Sequence, residues 1–200
     1  MRMRWLLWGV ALVGGLVIAA FAWHYTSYAR MHGQHHMGGA HHGAGAAMHD
    51  EVNMPGLHGT DTTAGEVADM AALFQRHQSL RRSVENLPNG VRTVTETDDD
   101  SVRTPLVNHV VQMLARVQTK RDPEVRIQSP TLSALFEHAD AIETTMAMTP
   151  TGIAVTQTSA DDAVVALLQT HAAEVSDMTA RGMRAVHERL GNDHNHQHAQ

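Results

Sequence analysis

The sequence predicts an α+β fold in which tandem duplicated helix–hairpin–helix units form a four-stranded antiparallel sheet with helices, preceded by one transmembrane helix. Residues 72–109 and 134–171 align without a gap at an offset of 62 positions, with ten identities in 38 pairs. Each copy has a Pro-X-Gly turn, and stretches with helical spacing lie on both sides of it. A self-match at one fixed offset indicates a repeated structural unit.

Few of the residues shared by the two copies have side chains that could bind a ligand or take part in a reaction. The only shared ionisable side chains are two aspartates and one histidine, which are Asp99/Asp161, Asp100/Asp162 and His109/His171. The other identical pairs are Ala72/Ala134, Leu73/Leu135, Phe74/Phe136, Pro88/Pro150, Gly90/Gly152, Val102/Val164 and Leu106/Leu168. The repeat therefore predicts an architecture and a histidine-centred site, but no reaction.

The N-terminal residues predict a membrane anchor. Trp5 to Trp23 is a 19-residue run without charge, long enough as a helix to span about 28 Å, close to the hydrocarbon thickness of a bilayer. Arg2 and Arg4 precede it, so residues 1–4 are expected in the cytoplasm and residues 5–24 in a bacterial inner membrane, crossing it once. A cleaved signal peptide ending near Ala29 is the alternative, although the apolar run exceeds the usual h-region. Both readings place the remaining chain in the periplasm.

Residues 25–61 predict a flexible tether rich in glycine, histidine and methionine. Large aliphatic residues are scarce there, so the segment buries too little apolar surface to offset its ordering entropy. Its histidines and methionines are typical of metal binding, and the mixture favours copper, with zinc or nickel as alternatives. The predicted tether ligands are His32, His35, His36, His41, His42, His49, His58, Met31, Met37 and Met48.

Residues 62–124 predict repeat unit 1. Thr63 with Glu66 fits a capping box that opens a helix. The turn around Pro88 and Gly90 joins two strands, the second near 91–96. Aspartates 98–100 then begin a helix to about Val117.

Residues 125–190 predict repeat unit 2. Ser129 and Pro130 fit the start of a helix over 131–142. A hairpin follows near 144–158, and one long helix is expected from about Asp162 to Leu190. Residues 191–200 predict a disordered, histidine-rich tail, whose candidate metal ligands are His194, His196 and His198.

The shared histidines lie in the middle of apolar helical stripes. His109 is flanked by Leu106 and Met113, and His171 by Leu168 and Val175, at helical spacing. We expect the two imidazoles to approach each other across a pseudo-two-fold axis and to bind one cofactor. That cofactor is a metal ion, with Met113 as an added thioether ligand, or the iron of haem b. The alternative is that each is a hydrogen-bonded core residue.

These patterns favour a membrane-anchored periplasmic metal-binding protein that handles or delivers copper without catalysing a reaction. The alternatives are a non-covalent haem-binding or redox-associated domain, and a ligand-free scaffold subunit of a membrane complex. A periplasmic or membrane protein is an expected partner. The net charge of −6 and the lack of a basic block argue against nucleic acid. The absence of cysteine excludes disulfides and covalent c-type haem attachment, and no catalytic motif is present.

Overall fold

Two β-hairpins form one antiparallel sheet in a computed structural model of the chain, which describes residues 54–197 and their side chains up to residue 190. The first hairpin joins strands β1 (Leu80–Leu87) and β2 (Gly90–Thr97). The second joins β3 (Glu143–Thr149) and β4 (Gly152–Thr158). The strand order is β1-β2-β4-β3, which confirms the predicted four-stranded antiparallel sheet.

Five helices occur within the described residues. They are α1 (Ala64–Gln75), α2 (Asp100–Gln118), α3 (Pro130–Glu137), α4 (Asp162–Arg181) and α5 (Met183–Gln197). Thr63 and Glu66 complete the capping box of α1. Asp99, Asp161 and Ser129 each accept a backbone N–H at the start of their helices. The sequence therefore specifies where these helices begin.

The contacts of the two hairpins repeat at the 62-residue offset. Thr93 pairs directly with Val155, 62 positions later, in the middle of the β2–β4 ladder. The Thr97 N–H donates to the Thr151 carbonyl at 2.9 Å, and 62 positions on the Ser159 N–H donates to Asn89, also at 2.9 Å. The inner edges of the hairpins therefore meet in a symmetric register.

Both long helices pack on the sheet face that carries Val91 and Thr95. Helix α4 contacts β1 and β2, whereas α2 contacts β2 and β4. Helices α1 and α3 pack against α2 and α4 respectively. Strand β2, helix α3 and helix α4 share a buried cluster of Val91, Leu135, Val164, Leu168 and Ala172. The packing leaves an open space between the helices and the sheet.

The predicted last helix is interrupted at Gly182. This glycine has a positive φ of 60°, which ends α4 and turns the chain into α5. A Cβ at this position would lie 2.6 Å from the ring of His77. The helix prediction from Asp162 to Leu190 was therefore wrong at one residue, because a glycine within a periodic pattern gives only a weak signal.

The end of the predicted tether packs against the folded domain. Pro55–Leu57 forms a 3-10 turn, and Met54 and Leu57 are buried with Val125, Ile127 and Val186. No helix among residues 54–197 has the length and apolar character needed to span a membrane. The predicted anchor, residues 5–24, lies outside the described residues.

Candidate ligand cavity

A cavity of about 270 Å³ lies between the sheet and the helices, and both repeated histidines line it. His109 comes from α2 and His171 from α4. Most of the wall is aliphatic, including Leu106, Val155 and Leu168. The volume is close to the lower end of the range for ligand pockets and well above that of an engineered cavity that binds benzene. The two imidazoles therefore border one largely apolar space.

His109 is held in its neutral form. Burial lowers its pKa to about 4, Glu66 opposes this shift, and the nearby His171 adds to it. Within residues 54–190, His109 has no hydrogen-bond partner. A neutral imidazole without a partner is available to a ligand, because its lone pair is free at neutral pH.

His171 lies beside a carboxylate. Its Nδ1 atom is 3.6 Å from Oε2 of Glu174, which is longer than a hydrogen bond but within ion-pair distance. Glu174 also accepts hydrogen bonds from Ser129 at 2.7 Å and Thr131 at 3.0 Å. Burial alone would raise the pKa of Glu174, but His171 and the two hydroxyls outweigh it and lower that pKa to about 2. Glu174 is therefore ionised, and its negative charge lies close to the second imidazole.

Arg82 brings a positive charge to the cavity wall. The residue lies on β1 opposite Thr95, and its Nη1 atom donates to the Thr95 hydroxyl at 2.6 Å. Its Nε atom donates to the Ser176 hydroxyl at 3.3 Å. Burial lowers the pKa of Arg82 to about 10, so the guanidinium remains charged at neutral pH. Among the described residues, no carboxylate lies within ion-pair distance of it.

Sequence reasoning missed several polar groups of this cavity. Arg82, His77 and Arg189 line it, and Glu174 lies beside His171. None of these four residues is identical in the two repeats, so the residues that the repeats share do not point to them. A usable signal exists for Arg82, because it shares a strand face with Leu80 and Val84 at alternating spacing.

The other predicted metal ligands are not brought together by the described part of the chain. Met113 lines the cavity with His109, whereas His58 is exposed after the first 3-10 turn. His194 and His196 fall within α5, where the side chains are not described. Residues 54–190 contain no group of three or more histidines and carboxylates arranged to hold a metal ion. The remaining predicted ligands lie outside the described residues: His32, His35, His36, His41, His42, His49, Met31, Met37, Met48 and His198.

Comparisons of this chain with protein-family models, curated protein sequences and solved structures return no match.

Proposed function

We propose that the folded domain binds non-covalent haem b, with His109 and His171 as the two axial ligands. Haem binding is one of the alternatives that the sequence leaves open, and the largely aliphatic cavity favours haem over a bare metal ion. The observation that carries the proposal is that the two histidines line one largely aliphatic cavity. Aliphatic walls suit a macrocycle, and a pair of imidazoles suits its iron.

The protonation state of His109 supports the same assignment. The pKa of about 4 keeps His109 neutral over the pH range in which a free imidazole titrates. Glu174, close to Nδ1 of His171, resembles the carboxylate partners that orient metal-bound imidazoles. A bare copper ion has less support in this cavity, because the wall is mainly aliphatic, although the thioethers of Met70, Met113 and Met178 also line it.

A haem titration tests the proposal. Full-length protein in lipid nanodiscs is titrated with haem against empty nanodiscs, and visible spectra are recorded. We expect a saturable Soret band at one haem per chain. The double variant H109A/H171A is expected to lose the band, whereas H138A, which removes an exposed histidine, is expected to keep it. A Soret band that survives the double change contradicts the assignment.

We infer that the two halves of the domain are duplicated units, 62–124 and 125–190. The support is that paired positions repeat both residue type and contact. A Cβ at Gly90 would lie 2.0 Å from the Gln157 carbonyl oxygen, and one at Gly152 would lie 2.0 Å from the Thr95 carbonyl oxygen. Gly152 lies 62 positions after Gly90, and Gln157 lies 62 positions after Thr95, so the two contacts are equivalent.

We propose that an uncleaved anchor at residues 5–24 places this domain in the periplasm, without a catalytic role. The support is the uncharged 19-residue run preceded by Arg2 and Arg4. Fusion of a reporter enzyme that is active only outside the cytoplasm to residue 60 or to the C-terminus tests the orientation. An inactive, stable fusion at both points contradicts it.

Copper capture by the tether is a second proposal, favoured by seven histidines between His32 and His58. Irregular spacing suits several weak, exchangeable sites. Protons compete for imidazole near pH 6.5, so binding is expected to weaken below about pH 6. Titration of a peptide of residues 30–60 with copper(II) at pH 7.5 and 5.5 measures this, and equal affinities contradict it.

A further inference from the structure

Arg82 is a charged residue in an apolar cavity without a counter-charge among the described residues. Most arginines in this part of the chain have a carboxylate within 4.0 Å, including the strand neighbours Arg81 and Arg92. Arg82 has only hydroxyl partners, Thr95 and Ser176. Hydroxyls orient a guanidinium but do not neutralise it, and an unpaired buried charge is costly.

The two hydroxyls use only part of the guanidinium. Nη1 is bonded to Thr95 and Nε to Ser176, whereas Nη2 has no partner among residues 54–190. A guanidinium has five N–H donors in a fixed planar arrangement that matches carboxylate geometry. The remaining donors of Arg82 are therefore available to an anion, and the side chain is held in place before that anion arrives.

We propose that Arg82 binds the carboxylate of an amphiphilic ligand whose apolar body fills the cavity. This inference rests on the proposed ligand-binding function and names the chemical class of the ligand. The carboxylate has two possible sources, the propionates of haem and the head group of a long-chain fatty acid. The aliphatic wall suits the apolar body of either one.

The position of Arg82 relative to the histidines fits an amphiphile. Its anchor Ser176 lies five residues after His171 on α4, about 7.5 Å further along the helix axis. Thr95 lies on β2, two residues from Thr93 at the centre of the sheet. The charge therefore lies beyond His171 along α4, so a ligand lying against this histidine would direct its acidic edge toward Arg82.

The test compares each acid with a neutral analogue of the same size. Full-length protein in nanodiscs is titrated with haem and haem dimethyl ester, and separately with dodecanoate and dodecan-1-ol. The variants are R82M, R82K and the matched control R92M, which removes an exposed arginine from the neighbouring strand. Circular dichroism and thermal unfolding establish that each variant is folded.

We expect wild-type protein and R92M to prefer at least one acid over its neutral analogue by about 10- to 100-fold, the value of a charge-assisted hydrogen-bonded pair. R82M is expected to lose this preference by binding the acid more weakly, with little change for the neutral analogue. R82K is expected to retain part of it. A preference seen with dodecanoate alone supports the carboxylate site and rejects the haem propionates as the source of the carboxylate.

Three results overturn the inference. The first is wild-type protein that binds each acid and its neutral analogue equally, which leaves the haem proposal intact but removes the anion site. The second is an acid preference that survives in R82M. The third is the absence of saturable binding of all four compounds, which rejects the ligand-binding function as well. If R82M does not fold, the wild-type comparison still tests for an anion site in the cavity, and R82K tests whether Arg82 forms it.

Discussion

The two halves of the domain place a histidine at the same position of the same helix but surround it differently. In the second half, Glu174 lies beside His171. Its counterpart 62 positions earlier is Gln112, whose Oε1 atom is buried without a hydrogen-bond partner in the described part of the chain. The difference shows that the two halves share backbone contacts but have different electrostatics, because an acid lies beside one imidazole and an amide occupies the equivalent position beside the other.

A second difference concerns charge. Arg116 of α2 is 5% exposed and donates to Glu66 at 2.9 Å and to Asp61 at 3.1 Å. Its counterpart in α4 is Met178, which packs in an apolar cluster. The first half is therefore stabilised by a partly buried ionic network, whereas the second half uses apolar packing at the equivalent position.

The largest expected effect tests what the halves have in common. We predict that Gly90→Ala and Gly152→Ala each destabilise the domain by about 4 kcal/mol, because each Cβ would lie 2.0 Å from a backbone oxygen of the neighbouring hairpin. Urea unfolding of the two variants measures this. Substantially unequal losses would show that the central register is not symmetric, and Gly65→Ala, with no contact closer than 3.9 Å, is the control.

The next effect concerns the ionic network. Arg116→Met, which installs the residue of the second half, is expected to cost about 3 kcal/mol at pH 7, because Glu66 loses its partner in a partly buried site. Arg116, through its side-chain hydrogen bond, outweighs the effect of burial and lowers the pKa of Glu66 to about 2. The difference between wild type and variant should therefore shrink as the pH falls from 4.5 toward 2. A constant difference over this range argues against the role of Glu66.

A smaller effect separates the two histidines. The pKa of His109 is about 4 in the folded protein, below the value of 6.5 for a free imidazole, so the unfolded chain takes up the proton first. The associated stability is complete above pH 6.5 and is lost as the pH falls toward 4, by about 2 kcal/mol between pH 7 and pH 5. His109→Leu should remove this part of the pH dependence in urea unfolding.

Gln112→Glu sharpens the same comparison by giving His109 the acidic neighbour that His171 has. Residues three apart on a helix are adjacent, so the new carboxylate is expected to raise the pKa of His109. The loss of stability between pH 7 and pH 5 should then be smaller than in the wild type. An unchanged or steeper loss contradicts this.

The smallest effect concerns the acid of the second half. Glu174→Gln keeps the shape of the side chain but removes the charge near His171 and weakens the hydrogen bonds from Ser129 and Thr131. We expect a loss of about 1 kcal/mol at pH 7. The pKa of Glu174 is lowered to about 2, so this loss should persist at pH 5 and disappear as the pH falls below 4.5 toward 2. Urea unfolding at pH 7 and pH 3 measures the difference.

The sequence predicts the parts of this molecule that depend on local chemistry. Helix caps such as Thr63 and Asp161, and the turn glycines, lead to the correct elements and sheet. The shared histidines identify one cavity because equivalent positions converge when the hairpins pair in a symmetric register. Arg82 and Glu174 were missed because their roles depend on contacts between distant elements, and their counterparts Thr144 and Gln112 are uncharged. The interruption at Gly182 reflects the ring of His77 packed against it.

The spin state of bound ferric haem tests the central claim most directly, since it reports both axial ligands at once. Electron paramagnetic resonance of the wild-type complex is expected to give a low-spin signal typical of two imidazoles. The single variants H109A and H171A are each expected to give a high-spin signal, because each loses one ligand. A low-spin signal that survives in both single variants would contradict the account.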